Sequence, residues 1–462
     1  MIIASITSSV KVAKAIRPSL IDDDRCRIRA VNEELLDRLS GIADEALPKM
    51  ARVRWQRPSL EIEDIEGQVK RELERLDLGG KLKPKAEVAL ACGSRGITNI
   101  ARITGVVVQY VKKVGGKPFV FPAMGSHGGS TAEGQAETLA KLGISEETLG
   151  CPVRATMEVV ELGQTASGIS VSVDRYAAAA DGIFLINRIK PHTAFSGSIG
   201  SGLSKIMAVG MGKQRGAKFI HRFAFQLGLE RAILEVAQVM LKKLPILGGL
   251  AIVEGFYHET AHLEALRPQE FLRREPELLL KARELMPRLP FAELDLLIVD
   301  EAGKELSGTG MDTQVIGRQY ILGEPEPSSP RIKRIYLRSL SPASGGNALG
   351  IGLADFVHAR VVGAMDLEKT YINALTGTGP EKARIPPYFE SDRTAIKMAL
   401  ATIGPVEPQE ARVLWIKNTL ELSRFLVSEA LLPEARRDQE LLVEEELSPL
   451  AFDRRGELIP RL

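Results

Sequence analysis

Residues 86–130 read AEVALACGSRGITNIARITGVVVQYVKKVGGKPFVFPAMGSHGGS, and the alternation of apolar runs with glycine turns in this stretch decides the fold class. Ala86–Ala91 is a short apolar run that stops at Cys92-Gly93-Ser94-Arg95-Gly96, the pattern of a buried strand entering a glycine turn. Thr98 is placed to cap the next segment, in which Ile100, Ile103, Val107, Tyr110 and Val111 recur at helical spacing. Gly115-Gly116 ends that helix, and Pro118–Pro122 (PFVFP) reads as a second strand. A strand–helix–strand unit of this kind implies parallel pairing through a right-handed crossover.

The same grammar continues on the C-terminal side. The loop Gly125-Ser126-His127-Gly128-Gly129 follows the second strand, and Ser130 with Glu133 has the spacing of a capping box opening the next helix. Asp181–Ile186 (DGIFLI) is a third apolar strand, running into Asn187-Arg188-Ile189-Lys190-Pro191-His192. Residues 265–290, rich in Arg, Glu and Pro, mark a boundary with a helix of their own. Leu294–Val299 (LDLLIV) then restarts the pattern, ending in Asp300-Glu301-Ala302-Gly303-Lys304 and Gly308-Thr309-Gly310-Met311-Asp312. Further strands are expected at 331–338 and 412–417, and a helix near 382–403. The expectation is an α/β protein with two α/β domains, their mostly parallel sheets facing each other across a cleft. An N-terminal domain over 1–275, a C-terminal domain over 285–435 and a charged tail over 436–462 complete the division.

Bulk properties narrow the function classes. The chain has 462 residues, 44% hydrophobic and 26% charged, an ordinary globular composition with length for two domains. Its 61 basic and 59 acidic residues nearly cancel, which gives no field for nucleic acid or an anionic membrane. The three cysteines, Cys26, Cys92 and Cys151, form no CxxC pair, so a disulfide framework is not expected and a cytoplasmic location is. No run of 18 apolar residues suggests a membrane span.

Strand C-termini are where open α/β sheets bind ligands, so the loops just named should converge. Among the six histidines, His127 and His192 each follow a separate strand, where a near-neutral imidazole suits proton transfer. The run Ser196-Gly197-Ser198-Ile199-Gly200-Ser201-Gly202-Leu203-Ser204-Lys205 has the glycines and terminal lysine of an anion-binding loop, though its spacing is not that of a Walker loop. A flexible surface loop and, for GSHGGS, a tight turn are the plain readings of the same glycines. His258 and His262 lie four apart without the glutamate of HExxH and read as a solvated pair. His358, among apolar residues, reads as a core histidine.

The segments CGSRGITNI (92–100), GSHGGSTAEGQ (125–135), NRIKPHTAF (187–195), SGLSKIMAVGMGKQRGAKFIH (201–221), DEAGKELSGTGMDTQVIGR (300–318) and IKNTLEL (416–422) together resemble the nickel-dependent lactate racemase family and its homologues acting on assorted 2-hydroxy acids. The resemblance spans roughly residues 60–430. It implies a nickel pincer nucleotide, covalently tethered through Lys205, with His221 as a nickel ligand sixteen residues further on. It implies His127 and His192 as acid and base on opposite faces of the substrate carbinol, in a racemisation or epimerisation that passes through transient oxidation. Ser94, Arg95, Ser126, Gly128, Ser204, Lys304 and Asp312 are the expected cofactor and substrate contacts, with Arg95 or Lys304 for the carboxylate. The implied partners are a small-molecule 2-hydroxy acid and the proteins that make and load the cofactor. Cys92 stands where the lactate enzymes commonly carry an acid, which directs the expectation to a hydroxy acid other than lactate. Two other readings fit the residues: a phosphate- or nucleotide-handling transferase built on the glycine loops, and a non-catalytic homologue that binds cofactor or hydroxy acid.

Overall fold

The computed structural model describes residues 33–94 and 96–462; Cys26 and Arg95, the latter a candidate carboxylate ligand, lie outside the described residues. Two sheets organise the chain. The first has five strands in the order Lys117–Pro122, Glu87–Cys92, Gly182–Arg188, Ile246–Glu254, Thr260–Leu266, parallel except for the last pair. The second has eight, in the order Tyr388–Phe389, Phe356–His358, Arg331–Leu340, Glu293–Ala302, Val413–Ile416, Arg424–Ser428, Met50–Trp55, Leu441–Val443. Its first five strands are parallel and the remaining pairs antiparallel. The architecture is the expected mixed α/β one with mostly parallel sheets.

The central strands are apolar on both faces because helices cover both faces. Val88, Leu90 and Cys92 pack with Ile103, Val107 and Val111 of the helix Ile100–Lys113 on one side. Ala89 and Ala91 turn to the other side, toward Leu203, Ile206 and the helix Leu229–Lys243. This two-sided burial fixes where each strand ends, and therefore where the polar loops emerge.

Three sequence expectations change. Met50–Trp55, placed by sequence in the N-terminal domain, joins the second sheet between Arg424–Ser428 and Leu441–Val443. The last of these strands belongs to the segment expected to be a charged tail, and Glu457 and Leu458 of the same segment reach His358 and Asp392. The helix caps also shift by one residue. Asn99, in a left-handed conformation, precedes Ile100–Lys113, while Thr98 donates its N–H to Glu254 and its hydroxyl to the His258 carbonyl. Thr131, not Ser130, caps Ala132–Lys141 by accepting from Gly134 N–H at 3.0 Å. Ser130 has φ 58°, incompatible with the extended backbone an N-cap needs.

No helix among the described residues is long and apolar enough to cross a membrane.

Candidate active site

A cavity of about 450 Å³ lies where the strand ends of the two sheets meet. From the N-terminal half it is lined by Ser94, Ser126, His127, His192, Lys205 and His221; from the C-terminal half, by Lys304 and Asp312. Two candidates do not reach it. Gly128 shapes the loop instead: its φ is 64°, and a Cβ there would lie 2.6 Å from the Gly134 carbonyl carbon. Ser204 is fully buried and spends its N–H and hydroxyl on Glu275.

His127 is held from its ring and from its backbone. Nδ1 is hydrogen bonded to the Ser94 hydroxyl, which comes off the neighbouring strand. Beneath the loop, buried Gln135 donates from Nε2 to the carbonyls of Gly125 at 2.9 Å and His127 at 3.2 Å. The Gln135 carbonyl accepts in turn from Lys213 at 2.9 Å, and the Lys213 ammonium sits 3.0 Å from Asp174 with both side chains fully buried. Burial works against both charges, raising the Asp174 carboxyl and lowering the Lys213 ammonium. This buried network gives the GSHGG loop a rigid floor.

His192 is positioned by both halves of the chain. Its Nδ1 accepts from Ala194 N–H at 3.1 Å, which assigns the proton of the neutral ring to Nε2. The ring stacks on buried Phe195 with centroids 4.7 Å apart. Lys190 and Ser201 exchange backbone hydrogen bonds at 2.9 and 2.8 Å, which ties the histidine segment to the loop leading to Lys205. From the C-terminal half, Asp312 pairs with Lys190 at 2.7 Å, Thr313 donates to the Thr193 carbonyl at 3.0 Å, and Gln314 donates to the His192 carbonyl at 3.3 Å.

Lys205 ends a short helical turn, Leu203–Lys205, that runs directly into the π-helical stretch Ile206–Gly210. Such wide turns are frequent at functional sites because they re-aim the neighbouring side chains. His221 projects from the helix Lys213–Leu227 toward the same space. Its pKa is pushed down to about 4, first by burial and then by the positive charge of Lys205. A neutral imidazole is the form that ligates a metal, and Lys205 lines the same cavity as His221. The Lys205 and His221 pair therefore fits a tethered, metal-bearing group on donor chemistry and placement.

Other candidate positions are accounted for. Lys304 donates to the Gly308 carbonyl at 2.7 Å at the cavity edge. Cys92 faces the core, 3.8 Å from the Thr104 hydroxyl and away from the cavity lining, and burial raises its thiol to about 12. His258 binds the Leu420 carbonyl at 2.8 Å from a turn, whereas His262 lies on a strand beside Glu264, so the two share no helix face. His358 is buried, as expected of a core histidine, with Nε2 3.0 Å from Glu457. Sequence reasoning missed Gln135, Lys213, Glu275 and Lys382. Gln135 and Lys213 fall inside the quoted motifs, but only burial shows what these four side chains hold.

Fold and cavity together define a mixed α/β protein with two histidines and a lysine–histidine couple gathered on one cavity at the strand ends. Residues 52–227 match the family model described as the lactate racemase N-terminal domain. The solved lactate racemase apoprotein from Thermoanaerobacterium thermosaccharolyticum is similar at a TM-score of 0.47 and 13% identity, over 81% of this chain and 99% of that one. No curated protein sequence matches the chain.

Proposed function

We propose that this chain is a racemase or epimerase of a 2-hydroxy acid that works with a nickel pincer nucleotide. The observation that carries the reading is the gathering of His127, His192, Lys205 and His221 on one cavity, inside the segment that matches the racemase domain. Lys205 would tether the cofactor and His221 would ligate its nickel; imidazole and soft sulfur suit square-planar Ni(II). When bound, that group supplies a reversible acceptor for the hydride on the substrate's Cα.

The chain's own residues supply the rest. One histidine takes the hydroxyl proton as the carbinol is oxidised to a planar 2-oxo acid. The planar acid takes the hydride back on its other face, which inverts the centre, while the second histidine returns a proton to the oxygen, with no net redox change. Ser94 orients His127, and the Nδ1 contact with Ala194 leaves the His192 proton on Nε2. Lys304 and Arg95 are the candidates for the substrate carboxylate. We place the reaction in the cytoplasm, where buried thiols such as Cys92 and Cys151 stay reduced.

Co-expression with nickel-pincer biosynthetic proteins tests the proposal. The expected result is a covalent adduct mapping to Lys205, about one nickel per chain, and racemisation of at least one member of a 2-hydroxy acid panel followed by chiral chromatography. An unmodified, nickel-free chain from a host that loads a control racemase would overturn it.

A further inference from the structure

Lys382 stands in the part of the cavity wall formed by residues 349–382, away from the glycine loops. It is only 6% exposed, in the short turn Pro380–Ala383. Its backbone is fixed at both ends: its N–H donates to the Gly379 carbonyl at 3.2 Å, and its carbonyl accepts from Gly350 N–H at 2.9 Å. Its side chain runs over Gly379, with Cδ and Cε 3.7 and 3.9 Å from where a Cβ on that glycine would be, and both residues line the cavity. Among the described residues no hydrogen bond or ion pair engages its ammonium. The two carboxylates that act on it, Glu326 and Glu381, do so without forming a bridge, and Glu326 is occupied by the N–H groups of Gln319 and Tyr320.

A buried cation without a counter-ion is costly, and desolvation lowers this lysine to about 8. Two other cavity lysines differ. Lys190 has Asp312, and Lys304 has the Gly308 carbonyl. Lys382 alone among these three has its charge held in the cavity wall with no protein acceptor in reach, a situation an oxyanion in the cavity would relieve.

We propose that Lys382 is the recognition residue for a second anionic group, a carboxylate or phosphate, bound in the cavity alongside the reacting hydroxy acid. The group has two possible sources: the far end of a 2-hydroxy diacid substrate, or the phosphate of the nucleotide cofactor. The inference rests on the racemase reading for the identity of those molecules, while its test needs neither loading nor turnover.

The test is calorimetric titration of the unloaded full chain with three probes: 2-hydroxyglutarate, 2-hydroxybutyrate and nicotinic acid mononucleotide. If the anion is the substrate's, wild type prefers the diacid over 2-hydroxybutyrate by about tenfold or more, and Lys382→Met removes that preference. If it is the cofactor's, Lys382→Met weakens the mononucleotide by about tenfold and leaves the ratio of the two acids unmoved. Either result supports the anion site and names its source. Lys382→Arg, which keeps the charge, should hold affinity within a few-fold in either case. A third readout needs no variant: near pH 8.5 the anion should bind with proton uptake, seen as a buffer-dependent heat. Failure of wild type to bind both the diacid and the mononucleotide, binding without proton uptake, or affinities for both probes in a folded Lys382→Met within twofold of wild type would overturn the proposal. A chain that binds a diacid through Lys382 yet never racemises would overturn the racemase reading alone.

Discussion

Glu275 holds Ser204 by its carboxylate. It accepts from the Ser204 N–H at 3.0 and 3.2 Å and from its hydroxyl at 2.5 Å, and both side chains are fully removed from solvent. Ser204 immediately precedes Lys205, so an acid from the helix Phe271–Leu285 holds the turn that presents Lys205. The approach is tight: a Cβ on Gly202 would lie 1.9 Å from Glu275 Oε1, so a side chain there would displace the carboxylate. Burial raises the Glu275 carboxyl to about 7, against the downward pull of the Ser204 hydrogen bonds.

That shift predicts a specific pH dependence of stability. The folded acid keeps its proton up to about pH 7, whereas its ordinary value is 4.5. The folded state binds more protons between these values, so this contribution is complete below about 4.5 and is lost as pH rises through about 7. The loss is of the order of 3 kcal/mol at most. Glu275→Gln is neutral at every pH and retains a carbonyl acceptor for Ser204. Urea unfolding at pH 5 and pH 8 should show wild type weakening relative to the variant at the higher pH. Parallel pH profiles for the two proteins would refute the role of this proton.

Gln135 is a positioning residue for His127. Gln135→Leu leaves the Gly125 and His127 carbonyls without their donor and Lys213 without one acceptor. Each buried group so orphaned costs about 1–3 kcal/mol, offset in part where water enters. In the loaded enzyme kcat should fall about tenfold or more, with KM changed much less, because the histidine's aim suffers and the remaining substrate contacts do not. Gln135→Glu, which keeps an acceptor for Lys213 and loses the donor, should reproduce the kinetic defect with a smaller loss of stability. A melting temperature that drops while kcat of the folded enzyme stays at the wild-type value would leave Gln135 a purely structural residue.

The histidines separate by what their loss removes. His127→Ala or His192→Ala should reduce kcat by about 10²–10⁴-fold while nickel content stays at the wild-type level. His221→Ala should lose nickel first and activity as a consequence, with the adduct on Lys205 still present in the intact mass. Metal analysis and chiral chromatography on the same preparations decide it. Nickel loss from the His127 variant, or full nickel retention by the His221 variant, would reverse the assignment.

How much of this was legible beforehand depends on where the information resides. Ala86–Ala91, Pro118–Pro122, Asp181–Ile186 and Leu294–Val299 announced their strands because two-sided burial demands continuous apolar runs, and the loops after them announced the cavity. Met50–Trp55 (MARVRW) gave no such signal. Its arginines interrupt the apolar pattern, and its partners are strands some 370–390 residues away, a pairing no local pattern encodes. Ser130 and Thr131 are adjacent hydroxyl residues, and only the positive φ at Ser130 decides which of them caps the helix. The site divides in the same way. Motifs single out His127, His192, Lys205 and His221, which line one cavity, while Gln135, Glu275 and Lys382 acquire their meaning from burial, which the sequence does not display.

Asp312 is the C-terminal half's grip on His192. Its Oδ1 accepts from Gln314 N–H at 3.0 Å and so caps the turn Thr313–Ile316, while its Oδ2 pairs with Lys190 at 2.7 Å, two residues before the histidine. Asp312→Ala removes both functions and should cost about 1–2 kcal/mol through the cap alone. Asp312→Asn separates them, because an amide oxygen can still cap but no longer neutralises Lys190. If the ion pair serves to set the His192 segment, both variants lose kcat by about tenfold in the loaded enzyme, and only the alanine variant also loses substantial stability. Thermal melts paired with racemisation rates make the comparison. An asparagine variant with wild-type kcat would show that the Thr313 and Gln314 contacts hold the loop unaided, and that the charge pair between the halves is dispensable to catalysis.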